Sequence, residues 1–78
     1  MPARTLKKMF SSPREAAAAQ AALSLETGKS HERNARTHIT SEKNRLLIHI
    51  EAVHSPALTA STATYTGLAD FLKGLSTL

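Results

Sequence analysis

Neither cysteine nor tryptophan occurs among the 78 residues. The missing cysteines exclude a disulfide framework and any zinc site built on thiolates, which fits a reducing compartment. Aromatic side chains are confined to Phe10, Tyr65 and Phe71. Leu, Ile, Val and Phe together supply about a fifth of the chain, close to the composition of disordered proteins. No apolar run approaches the roughly 18 residues of a membrane span. The first ten residues carry Arg4, Lys7 and Lys8 without the apolar segment of a signal peptide. The expected location is therefore cytoplasmic, with no membrane contact.

A single domain of this length buries only about 60% of its unfolded surface. Alanine makes up much of the apolar content and buries little area. Without disulfides or an evident metal, association with another chain is the remaining route to stability. The formal charge is +4 with neutral histidines, and the pI is about 10.0. Such a balance permits nucleic-acid contact without requiring it.

Local signals define an order of elements. Residues 4–10 alternate weakly and read as a short strand, although Lys8 shares a side with Leu6 and Phe10. Ser12-Pro13-Arg14-Glu15 is a capping box with proline at the first helical position. The alanine run that follows predicts a helix over 13–26, stopped by Gly28. Residues 27–33 are polar and read as a loop. Residues 34–53 read as a hairpin around Ser41-Glu42-Lys43-Asn44. Pairing Thr40 with Arg45 sets Ile39 opposite Leu46, Thr37 opposite Ile48 and Ala35 opposite Ile50, one apolar face throughout. Ser55-Pro56 repeats the helix-start grammar, a capping hydroxyl then proline. Leu58, Tyr65 and Leu72 recur every seven residues, with Ser61, Leu68 and Leu75 three after each. That stripe predicts a helix over 56–75, bent or frayed near Gly67 or Gly74. The fold class is α+β: a small antiparallel sheet of about three strands with two helices on one face, order β-α-β-β-α.

Catalytic patterns are missing. No serine sits in a nucleophile motif. His31, His38, His49 and His54 lack the i, i+4 spacing of a zinc helix, and the expected register does not set His38 opposite His49. Gly28-Lys29-Ser30 resembles the end of a phosphate loop, but Leu23 stands where that motif needs glycine. The carboxylates form no evident pair. The chain is expected to have no cofactor, no metal and no enzymatic activity. Two surfaces are left as candidates. Lys29, Arg33, Arg36, Lys43 and Arg45 gather around the hairpin and the loop before it and could hold a phosphate backbone, with Lys29, Arg33, Arg36 and Arg45 the candidate RNA contacts. No aromatic lies among them for base stacking, so a solvated positive face explains them equally well. Ala18, Ala22, Leu58, Ser61, Tyr65, Leu68 and Leu72 are the candidate partner contacts. For each of these seven the alternative is the chain's own core.

The stretch from Ser12 to Leu75 resembles the small dimerising subunit family of the KEOPS complex. The blocks that carry the likeness are Ser12-Pro13-Arg14-Glu15-Ala16-Ala17, Ala22-Leu23-Ser24-Leu25-Glu26, the strand Asn44 to Ala52 and the helix start Ala57-Leu58-Thr59-Ala60-Ser61. The resemblance implies a non-catalytic subunit of the machinery that makes threonylcarbamoyladenosine in transfer RNA. It implies a homodimer, or a heterodimer with a related small subunit, and two helices docked on an ATPase-fold catalytic subunit. Transfer RNA would be held through the complex. Three positions depart from the family pattern. Lys43 stands where glycine is usual, so a wider turn is expected; Thr59 replaces an arginine and Ala63 an asparagine. These departures suit a divergent paralogue. The alternative is a free-standing basic RNA-binding α+β module.

Overall fold

A computed structural model describes residues 2–27 and 34–76. Five elements follow in order: β1 Ala3–Met9, α1 Pro13–Ser24, β2 Ala35–Glu42, β3 Arg45–Ala52 and α2 Ser55–Ser76. The three strands form one antiparallel sheet in the order β1-β3-β2. Both helices pack on the same side of it, as the sequence pattern implied. The weak first strand is present and pairs along its whole length with β3, Leu6 facing Ile48.

The start of α1 is fixed by its cap. Ser12 is extended (φ −152°, ψ 160°) and its hydroxyl accepts the Glu15 amide at 3.2 Å. The Glu15 carboxylate reaches back to accept from the Ser11 amide at 3.1 Å, tying the chain that enters the helix to its first turn. The regular helix ends at Ser24, two residues earlier than expected. Beyond it the amides of Leu25, Glu26 and Thr27 bond the carbonyls three residues back, so the last turn tightens rather than stopping at once. Gly28, the expected stop, lies outside the described residues.

The hairpin differs from expectation in register. Glu42 pairs with Arg45, which sets Ile39 opposite Ile48, Thr37 opposite Ile50 and Ala35 opposite Ala52. The slip is two residues, so every side chain keeps its expected face. Its cause is the turn, which is two residues long rather than wide. Lys43 adopts φ 56°, the left-handed conformation a tight hairpin turn demands and glycine supplies most easily. From the side, the Phe10 amide donates to the Asn44 carbonyl at 2.7 Å and the Asn44 carboxamide donates to the Phe10 carbonyl at 3.1 Å. These bonds tie the turn to the chain leaving β1.

The second helix also starts differently. Its cap is His54, not Ser55: the Ala57 amide donates to His54 Nδ1 at 3.1 Å and the Leu58 amide to the His54 carbonyl at 3.2 Å. Pro56 therefore occupies the second helical position. Helix α2 is continuous through Gly67 and Gly74, so it does not fray at either glycine.

Leu46, Ile48 and Ile50 on the central strand are fully buried and meet Leu23, Ala16 and Ala19 from α1 and Tyr65 and Ala69 from α2. Each such Leu or Ile contributes roughly 1.5–3 kcal/mol. The alanines let α1 lie close to the sheet. Gln20 then secures it over β2, donating to the Ile39 carbonyl at 3.1 Å and accepting from the Ser41 hydroxyl at 2.6 Å.

Candidate interaction surfaces

The heptad stripe on α2 divides once the sheet is in place. Tyr65 is wholly buried and Ser61 is 3% exposed. Both belong to the core of this chain and cannot touch a partner in this conformation. The reason is rotational: the line Ser61, Tyr65, Ala69 faces the sheet. Leu58, Leu68 and Leu72 lie beside that line, half-buried against the core, each with some surface left over. The side chain of Leu75 lies outside the described residues.

On α1, Ala16, Ala19 and Leu23 point inward, which leaves Ala18 and Ala22 exposed together with Ala17 and Ala21. Beyond Arg14 and Glu15 this outer face carries no charge up to Ser24. On α2, Ala60, Ala63, Thr64 and Gly67 are exposed. An added Cβ at Gly67 would meet nothing within 4 Å. The packing of this chain gives no reason for glycine there, where it weakens a helix. Large apolar side chains are exposed as well: Leu25 at 73% and Phe71 at 63%. Sequence reasoning missed both as contact candidates: Leu25 lies just past the end of α1, and Phe71 lies off the periodic stripe of α2. Thr59 and Ala63, two of the departures from the family pattern, are also exposed on α2. They alter what this helix presents without touching the core.

The two described members of the candidate RNA-contact group do not converge. Arg36 lies opposite Glu51, and Arg45 bonds Glu42 at 3.3 Å. Six positions of β3 separate those two rows, about 20 Å at the usual rise of a strand. Lys29 and Arg33 lie outside the described residues.

The side of the sheet away from the helices is polar. It carries Lys7, Thr40, Thr5, His38, His49, Glu51 and Arg36, with Leu47 among them. Against the expected register, His38 stands directly opposite His49. The His49 ring is held on both sides, by the Thr5 hydroxyl at 2.8 Å and the Glu51 carboxylate at 3.3 Å. Among the described residues no three His, Cys, Asp or Glu side chains group as a metal site. No described helix is long and apolar enough to cross a membrane.

The family model described as "Transcription factor Pcc1" matches residues 3–70, from β1 well into α2. No curated protein matches the chain. Among solved structures, a chain of the crystal structure of the binary complex Gon7-Pcc1 superposes with a TM-score of 0.78. It is 20% identical, and the match covers 91% of this chain and 86% of that one. At that identity the likeness speaks for the fold.

Proposed function

The chain belongs to the Pcc1 family of KEOPS small subunits, and on that premise we propose that it works without chemistry of its own. It pairs with a second small chain and docks its helices onto the ATPase-fold catalytic subunit of a complex that makes threonylcarbamoyladenosine in transfer RNA. One observation carries the docking reading. Both helices give one face to the sheet and leave exposed a run of small residues, Ala17, Ala18, Ala21 and Ala22 on α1 and Ala60, Ala63 and Gly67 on α2, with exposed Phe71 on α2 and Leu25 just past α1. A small domain that leaves such surface bare gains stability when another helical surface covers it. The match to a chain of a two-protein complex accords with pairing to a small partner. Thr59 and Ala63, exposed where the family has arginine and asparagine, favour a partner set shifted from the usual one, such as a heterodimer with a related small subunit.

Direct RNA binding by the isolated chain has less support. Arg36 lies opposite Glu51 and Arg45 bonds Glu42 at the other end of the sheet, so these two do not combine into one positive patch for a phosphate backbone.

Light scattering of the purified chain, alone and mixed with the catalytic subunit and a related small subunit, tests the reading. The expected result is a dimer, or a monomer of 8.4 kDa that joins the related subunit, and in either case a stable complex with the catalytic subunit. A monomer that joins neither protein would overturn it.

A further inference from the structure

We propose that the first turn of α2 is a proton-sensitive element, closed when His54 is neutral and loosened when it is protonated. A backbone amide can only donate, so the bond from the Ala57 amide to His54 Nδ1 at 3.1 Å requires a lone pair on Nδ1. Only a neutral imidazole with its proton on Nε2 can close this bond. Protonation converts Nδ1 into a donor and breaks the bond outright. It also places a positive charge at the positive end of a 22-residue helix. Serine, aspartate or asparagine at the same place would cap at neutral and mildly acidic pH alike. Histidine alone among these choices titrates there.

Among the described residues no carboxylate is bonded to His54 to favour the charged form. The first turn of α2 contains no acidic residue. Helix α2 packs against β3, β1, α1 and β2. On β3 the carboxylate of this end is Glu51, which holds His49 and lies opposite Arg36 of β2. On β1 the ionisable group here is Arg4, opposite Ile50. Glu26 follows the end of α1. Two of these four groups are themselves positive. His54 is exposed, so protons reach it without unfolding. The neutral ring completes the cap, and the protonated ring, with a donor at Nδ1, cannot. Loosening would free Leu58, which packs on the core from this turn.

Amide exchange of Ala57, corrected for intrinsic rates, tests the proposal in the full chain at pH 7.5 and pH 5.0. His54→Asn supplies a cap that does not titrate, and His54→Ala supplies none. The wild-type protection is expected to match His54→Asn at pH 7.5 and to fall roughly fivefold below it at pH 5.0, the equilibrium equivalent of one lost cap. His54→Ala should be low at both. Equal pH dependence in wild type and His54→Asn would overturn the proposal. So would wild-type protection no higher than His54→Ala at pH 7.5. Position 54 is exposed, so all three proteins should remain folded.

Discussion

Lys8 Nζ on β1 lies 2.8 Å from Asp70 Oδ1 on α2. Lys8 points to the helix side of the sheet, in line with Leu6, and reaches the rim where its ammonium meets the passing helix. This accounts for the charge on the apolar side of an otherwise weak strand pattern. The carboxylate is 58% exposed and the lysine side chain 26%, so solvent screens the pair.

A double-mutant cycle with Lys8→Met and Asp70→Asn is expected to give a coupling of about 0.2–1 kcal/mol, shrinking as salt rises. Urea unfolding at low and at 0.5 M salt measures it. A coupling near zero at low salt would show that the pair contributes nothing to holding α2 on β1.

Lys43→Gly should stabilise the protein. Lys43 occupies the left-handed region at φ 56°, where a side chain is strained by roughly 1–2 kcal/mol. Glycine removes that strain and returns part of the gain as unfolded-chain entropy, leaving ~0.5–1 kcal/mol. Lys43→Val should go the other way, because a β-branched residue tolerates this conformation worst. The shift in thermal midpoint of the two variants checks both directions.

How much of this was legible in the sequence depended on how local each determinant is. The α1 cap is written in four consecutive residues, Ser12 to Glu15, and the structure keeps it. Strand faces follow from alternation, so Ile48 and Ile50 point inward whichever register holds. The register itself turns on one dihedral angle at Lys43, a residue that gives no sign of adopting the left-handed conformation. With it went the prediction that His38 and His49 are not opposed. The His54 cap escaped because imidazole is not a usual capping group and Ser55-Pro56 offers a more familiar one. Tyr65 could not be assigned to core or interface from spacing alone, since a heptad stripe looks the same whether sheet or partner covers it. Only the rotation of α2 about its axis decides, and that is a tertiary property.

Tyr65 and Ala22 should therefore respond differently to substitution. Tyr65→Ala empties a fully buried site and should cost about 3–5 kcal/mol, enough to unfold much of a domain this small. Ala22→Glu alters an exposed position and should leave the far-ultraviolet circular dichroism and the thermal midpoint close to wild type. If α1 docks on a partner, the same substitution should weaken that association at least tenfold by light scattering or calorimetry. Unchanged association would remove α1 from the interface.

Gly67→Ala separates helix stability from docking in a single side chain. The position is exposed, and a methyl group there meets no atom of this chain within 4 Å. In the isolated protein the substitution should therefore stabilise α2 by about 1 kcal/mol, the ordinary difference between glycine and alanine inside a helix. A partner helix seated against this face would approach closest where the side chain is missing. The added methyl group would then hold the two backbones apart and reduce packing along Ala60, Ala63 and Gly67 together. The expected outcome is a rise in thermal midpoint for the chain alone and a fall in affinity for the catalytic subunit. A rise in both would mean that this face of α2 is solvated in the complex, and docking would then have to use the alanines of α1.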